Sequence, residues 1–352
     1  MTGPEPPERR RSHHAISVGD ARALPLPADS VELVVTSPPY PMIEQWDGTF
    51  AALDPAVADA LDAGDGERAF DLMHAVLDEA WAELDRVLAP GGIVCVNVGD
   101  ATRSLADRFR LYSNHARITE SFSALGFDQL PGILWRKPTN SPTKFMGSGT
   151  LPPNAYVTLE HEHVLVFRKG DRRSFPPHDS DRYGAAYFWE ERNRWFSDVW
   201  EGLTGVDQEL GLDAPRERAA AFPFELPYRL VTMFSVHGDT VLDPFWGTGT
   251  TTLAAMATAR DSIGVERDAG FPAEFEDRLD GLPSRTERRT QRRLSEHREF
   301  LEDRNEAPDY RADHYDFDVV TRTERSIRLY GITEVAPIAG GYRVDHRALN
   351  DE

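Results

Sequence analysis

The chain has 352 residues, 40% hydrophobic and 10% aromatic, enough for a real core, which excludes a disordered acidic chain. Its formal net charge is −20 with lysine only at Lys137, Lys144 and Lys169, a surface that stays hydrated in concentrated salt and fits a salt-loving cytoplasm. No run approaches about 18 uninterrupted apolar residues and Cys95 is the single cysteine, so a membrane span, a disulfide framework and a cysteine zinc site are excluded.

The opening stretch, "MTGPEPPERRRSHH", lacks the apolar segment of a secretory signal, and residues 1–14 are expected to form a flexible tail. "AISVGD" reads as a strand ending at Gly19-Asp20, and "VELVVT" as a second, buried strand. Residues 41–66 have loop character. Apolar residues at helical spacing follow in "ERAFDLMHAVLDEAWAELDRVLAPGG", expected to stop at Pro90-Gly91-Gly92. "GIVCVNVGD" is a buried strand with Cys95 as a core thiol. "RITESFSALGF" reads as a helix, "LPGILWRKP" as a strand broken at Pro138, and "YVTLEHEHVLVFRKG" as another strand. Between them lies a loop, and residues 171–218 are polar and irregular. The stretch from Phe222 to Asp268 then alternates helix, strand, glycine-rich turn, helix and strand. The alternation predicts an α/β fold with a largely parallel sheet. From about residue 283 an arginine-rich helix and short strands form a C-terminal extension, leaving 15–282 as the main domain.

Two punctuated turns carry chemistry. In the first, Val241-Leu242 lead into Asp243-Pro244-Phe245-Trp246-Gly247-Thr248-Gly249-Thr250-Thr251 and a helix. Glycines at a strand-to-helix turn admit a ligand close to backbone, and the helix start offers free N–H groups. The Lys-Ser/Thr pair of a triphosphate-binding loop is missing. The next strand ends at Glu266, the place from which an acid grips a ribose, so the pair points to an adenosine-type ligand.

The second turn is Ser37-Pro38-Pro39-Tyr40, at the end of the "VELVVT" strand. Two prolines fix the backbone and leave the Ser37 hydroxyl and the Pro38 carbonyl as acceptors at the ligand edge. Tyr40 offers a flat ring for a planar base. An amine, a planar ring and an adenosine ligand together describe methyl transfer to an exocyclic base amine.

With both turns present, the chain resembles the DNA amino-methyltransferases, S-adenosylmethionine enzymes that make N4-methylcytosine or N6-methyladenine. The resemblance covers residues 16 to 270, including "TSPPY", "EHEHVLVFRKG", "AAFPFELPYRLV" and "DPFWGTGTTT". Ser37 precedes Asp243 by 206 residues, the order of the family's circularly permuted group. The resemblance implies a Rossmann-like sheet with helices on both faces. It implies Ser37, Pro38, Pro39 and Tyr40 as the catalytic turn. Asp243, Pro244, Phe245, Gly247, Gly249, Thr250 and Thr251 would line the methionine and sugar of the cofactor. Glu266 would hold the ribose, Asp20 the adenine, and Phe222, Pro223 and Glu225 the methionine end. Trp246 and Thr248 depart from the family's small residue and serine. Ser before the prolines favours cytosine over adenine, for which Asp or Asn is usual.

Local basic runs offset the acidic whole and nominate Arg136, Lys137, Lys144, Arg172 and Arg173 as DNA contacts, with "SRTERRTQRR" a further basic run. Residues 138–156 and 171–218 are the candidate target-recognition elements. The strand carrying His161 and His163 reads as structural, and no metal is expected. Duplex DNA is the expected partner, a restriction endonuclease a conceivable second, and the enzyme a monomer or homodimer. RNA-base and protein-amide methyltransferases carry a similar turn, but usually place the cofactor turn first.

Overall fold

The computed structural model describes residues 8–137, 146–203 and 222–349. Among these, ten strands form one sheet. Across it they run Val199–Trp200, Asp128–Arg136, His161–Arg168, Leu88–Val98, Val31–Thr36, Thr240–Asp243, Asp261–Glu266, Arg9–Val18, Gly341–Ala348 and Tyr330–Ile338. The middle of the sheet, from Leu88–Val98 to Arg9–Val18, is parallel throughout. His161–Arg168 and Gly341–Ala348 run antiparallel to their neighbours.

The alternation of side chains along each strand divides the core into two layers. Val34, Val94 and Val96 face one way, onto Trp81, Leu84 and Phe122 of the helices Gly66–Val87 and Asn114–Ala124. Leu33, Val35 and Cys95 face the other way, onto Tyr228, Leu230, Ala254 and Ala255 of the helices Glu225–Phe234 and Thr250–Ala257. Every one of these side chains is at most 2% exposed. Burial pushes the Cys95 thiol well up, so it is an inert core group. The α/β sheet with helices on both faces is the architecture expected from the sequence.

Several boundaries differ from the sequence reading. Residues 9–14, expected in a flexible tail, are strand: they pair with Tyr342–Arg347 of the C-terminal hairpin. That hairpin extends the central sheet, so the C-terminal extension is joined to the main domain and not appended to it. The long helix starts after Asp65, whose side chain caps Arg68 N–H, and ends at Val87; Pro90-Gly91-Gly92 already belong to the following strand. The expected loop at 41–66 contains two short helices, Asp47–Leu53 and Ala56–Asp62.

The arginine-rich helix Leu282–Glu302 is held from inside. Arg293 pairs with Glu191 at 2.6 and 2.7 Å, with both side chains at most 5% exposed. Arg289 pairs with Glu225 at 2.9 and 3.0 Å. Two of the five arginines in the expected basic run therefore form buried ion pairs that clamp this helix to the helices Trp189–Trp195 and Glu225–Phe234.

Candidate active site

The carboxyl ends of the parallel strands open into a cleft of about 710 Å³. Open α/β sheets bind ligands at this edge, where the strand ends leave backbone groups unpaired. Both punctuated turns reach it. Ser37, Pro38, Pro39 and Tyr40 line one side, and Asp243, Pro244, Phe245, Gly247 and Thr250 the other, with Asp20, Phe222 and Glu266. Phe50 and Leu53 from the helix Asp47–Leu53, with Trp46 just ahead of it, add an apolar wall that the sequence reading had left as loop.

One carboxylate ties the two turns together. Asp243, 3% exposed, accepts from Thr36 Oγ1 at 2.7 Å, from Thr251 Oγ1 at 2.8 Å and from the Phe245 N–H at 3.2 Å. Thr36 immediately precedes Ser37, so this bond fixes the Ser-Pro-Pro-Tyr turn against the glycine-rich turn. Burial raises the Asp243 carboxyl to about 6, more than its hydrogen bonds hold it down.

The glycine-rich turn is shaped by aromatic packing. Gly249 caps the helix Thr250–Ala257 at φ +75°, where a Cβ would lie 2.5 Å from Phe275 and 2.6 Å from Trp246. Trp246 is 2% exposed and donates to Thr252 Oγ1 at 2.8 Å, its ring resting on Gly264 of the next strand. The departure at Trp246 is thus absorbed by a glycine opposite. Glu266 accepts from the Gly247 N–H at 2.7 Å and the Asp268 N–H at 2.9 Å, which turns it toward the cleft. Asp20 lies at the rim, held by Arg22 at 2.9 and 3.0 Å, whose hydrogen bond pulls its carboxyl down.

At the other turn, Ser37 Oγ lies 3.0 Å from the Tyr40 hydroxyl. That hydroxyl is 3.0 Å from Glu162 Oε2, and Asn97 Nδ2 donates to both, at 2.9 and 2.7 Å. Lys137 Nζ donates to Glu162 Oε1 at 2.8 Å. Burial, with the charge of Glu162 behind it, pushes the Tyr40 phenol well above its ordinary range, so it stays protonated. The Tyr40 ring lies against Gly99, where a Cβ would sit 3.2 Å from the ring edge. Glu162 and Asn97 were missed as site residues by the sequence reading; the antiparallel His161–Arg168 strand brings Glu162 to the end of Leu88–Val98.

This arrangement has counterparts. The profile of the N6_N4_Mtase family, described as DNA methylase, matches residues 31–276. The chain is 52% identical over 304 residues to the Type II methyltransferase M.MthZI of Methanothermobacter thermautotrophicus, covering 86% of this chain and 85% of that one. The chain belongs to the N6/N4 DNA methylase family. It is also 49% identical over 280 residues to the Type II methyltransferase M.MjaI of Methanocaldococcus jannaschii, covering 76% and 91% of the two chains. Among solved structures it resembles TTHA0409 of Thermus thermophilus, a proposed DNA modification methylase complexed with S-adenosyl-L-methionine. That match has 32% identity and a TM-score of 0.58, covering 77% of this chain and 96% of that one.

Not every expected residue of this DNA methylase reaches the cleft. Thr251 turns to Asp243, and Gly249 packs under Trp246. Pro223 does not line it, and Glu225, 6% exposed, is enclosed by Arg289 and Arg229. Although burial raises the Glu225 carboxyl, the two guanidinium groups bring it down to about 2: it anchors a helix. Arg173 sits at the opposite edge of the sheet, paired with Asp239 at 2.6 and 2.8 Å just ahead of the Thr240–Asp243 strand. It and the adjacent exposed Arg172 therefore lie away from the cleft mouth. Arg136 is exposed and paired with Glu201 at 3.0 Å; Lys137 reaches the cleft itself. Lys144 lies outside the described residues.

Near the mouth, Asp100, His115 and His163 bring ligand atoms within 4.8 Å of one another. The His115 and His163 rings are stacked, 4.0 Å between centroids and 17° between planes, so their in-plane lone pairs run side by side and do not converge. His115 Nδ1 already meets Asp100 at 2.8 Å, and burial followed by the neighbouring His115 lowers His163 to about 4.

Proposed function

We propose that this DNA methylase transfers methyl from S-adenosyl-L-methionine to the exocyclic N4 of cytosine in duplex DNA, with the base turned out of the helix into the cleft. The observation that carries the reading is the placement of Ser37 and Pro38 in one cleft with the Asp243–Thr250 turn, joined through Thr36 and Asp243. The cofactor's chemistry matches the residues present. Glu266 and Asp20 are acceptors suited to ribose hydroxyls and an adenine amine, and Phe245 and Phe271 are apolar plates along the same wall. When bound, S-adenosyl-L-methionine supplies an electrophilic methyl group on a sulfonium.

The chain's own residues do the rest. A base amine is a poor nucleophile because its lone pair is delocalised into the ring. Ser37 Oγ and the Pro38 carbonyl accept its two N–H groups, which favours a pyramidal nitrogen with its lone pair free. Fixed geometry supplies most of the acceleration, with no covalent enzyme intermediate. Turning the base out costs a few kcal/mol, offset in part by stacking on Tyr40. Ser37, as opposed to Asp or Asn, supports cytosine. The hairpin of Met146–Gly147 and Ala155–Tyr156, followed by Val157 at 84% exposed, supports a recognition role for residues 138–156, of which 138–145 lie outside the described residues. The Type II relatives support a restriction–modification setting with an endonuclease for the same site.

The test supplies methyl-labelled cofactor with duplex DNA, RNA and protein, and resolves the modified nucleosides by mass spectrometry. N4-methylcytosine in DNA is expected. N6-methyladenine would overturn the choice of base, and label in RNA or protein alone would overturn the substrate.

A further inference from the structure

Hydrogen-bond direction around Tyr40 follows from donor and acceptor counts. Glu162, with its side chain 12% exposed, is an acceptor only, and it faces three donors: Lys137 Nζ, Asn97 Nδ2 and the Tyr40 hydroxyl. Tyr40 has one proton, and a carboxylate at 3.0 Å outcompetes a neutral hydroxyl at the same distance. The phenol proton therefore belongs to Glu162. The Tyr40 oxygen is left to accept, from Asn97 at 2.9 Å and from Ser37 at 3.0 Å. Ser37 must then donate its single proton to Tyr40, and its lone pairs are left for the cleft.

We propose that Glu162 is a positioning residue for methyl transfer: acting through Tyr40, it locks Ser37 as a pure hydrogen-bond acceptor and gives the reacting amine a route for its surplus proton. The proposal rests on the reading of the cleft as a base-amine methylation site. In the transfer, the amine lone pair forms the new C–N bond while the C–S bond breaks with its electron pair left on sulfur. The nitrogen then carries one proton too many. That proton passes to Ser37 Oγ, the Ser37 proton to the Tyr40 oxygen, and the Tyr40 proton to Glu162. Ser37 and Tyr40 each end with the one proton they began with, the nitrogen has exchanged an N–H for the new N–C bond, and Glu162 has gained one proton. No serine or tyrosine anion has to form, in keeping with the upward-pushed Tyr40 phenol. Lys137, its side chain 44% exposed beside Glu162, marks where the relay meets solvent.

Two consequences separate this relay from a merely structural cluster. First, a Ser37 that only accepts discriminates an amine, which donates, from a carbonyl, which accepts. In Tyr40→Phe the serine hydroxyl is free to turn and donate. In Glu162→Gln the amide directs its C=O to Lys137 and its NH2 to Tyr40 and Asn97, whose amide turns over to accept with its otherwise unpartnered Oδ1. The Tyr40 proton is then no longer drawn to position 162, and Ser37 is released from donating to Tyr40. The binding experiment compares duplexes carrying cytosine or uracil at the mapped target, in wild type, Tyr40→Phe, Glu162→Gln and Glu162→Asp, each loaded with S-adenosylhomocysteine. The wild-type preference for the amine should fall by about tenfold in Tyr40→Phe and Glu162→Gln and be partly restored in Glu162→Asp. Comparing ratios between variants cancels the cost of turning out each base.

Second, single-turnover methyl transfer should fall by about 100-fold in Glu162→Gln with cofactor affinity held within about twofold. The double variant with Tyr40→Phe should be no slower than the worse single one, because both interrupt one chain. Unchanged cytosine-to-uracil ratios in both variants, or rate losses that multiply, would overturn the relay. If wild-type protein methylates no base amine at all, the cleft reading falls and the relay falls with it; a normal wild-type rate with unaffected variants sinks the relay alone.

Discussion

Asp243 makes a quantitative prediction about stability and pH. Its carboxyl lies at about 6 in the folded chain against an ordinary 3.8, with burial the leading cause. The native state thus holds the proton more tightly than the unfolded chain does. Below pH 3.8 both states are protonated and the difference has no effect. Between 3.8 and about 6 the unfolded chain ionises first, so stability falls as pH rises, and above about 6 the full cost remains. That cost is about 3 kcal/mol at neutral pH. Asp243→Asn removes the titration. Its carbonyl can still accept from Thr36 and Phe245 N–H, and Thr251 can redirect its hydroxyl to the Val35 carbonyl, already 3.2 Å away. The assay is urea unfolding of both proteins at about pH 4.5 and about pH 8 in concentrated salt, reading the difference between them so that other titrating groups cancel. Asp243→Asn should gain about 2–3 kcal/mol on wild type between the two pH values. A difference that stays flat, or that grows toward acid, would refute the burial argument.

Three further outcomes follow from packing and charge. Gly264→Ala places a methyl group against the Trp246 ring and should lower cofactor affinity by about tenfold or more, and Trp246→Leu in the same chain should restore part of it; isothermal titration reads both. Arg293→Met strands Glu191 in the core and should cost about 3–5 kcal/mol in denaturant unfolding, most of it recovered when Glu191→Leu is added. Arg173→Ala should leave DNA affinity within about twofold, because its guanidinium is committed to Asp239 at the far edge of the sheet, while lowering stability through the unpaired acid.

Both turns were legible in the sequence because their signals are local. A strand that ends in Pro38-Pro39, and another that opens into Gly247 and Gly249, each declare their geometry within about ten residues, and a parallel sheet gathers such ends at one edge. What stayed hidden depends on contacts between distant segments. Glu162 reaches Tyr40 across 122 positions, only because an antiparallel strand inserts beside Leu88–Val98. Arg173 and Glu225 look like surface or cofactor residues in sequence, since composition does not say which edge of a sheet, or which side of a helix, a charge occupies. The strand at 9–14 was invisible for the same reason: its partner, Tyr342–Arg347, lies at the other end of the chain. Trp246 shows the converse, a local departure from the family pattern whose compensation, Gly264, sits on the neighbouring strand.

The central claim is that the cleft presents Ser37 as an acceptor to a base amine beside a separately bound methyl donor. Single-turnover methylation of a target duplex by Ser37→Ala, with the dissociation constant for S-adenosyl-L-methionine measured on the same preparation, tests it most directly. The account predicts a loss of at least about 100-fold in rate with cofactor affinity unchanged within about twofold. A Ser37→Ala protein that methylates at the wild-type rate would contradict it.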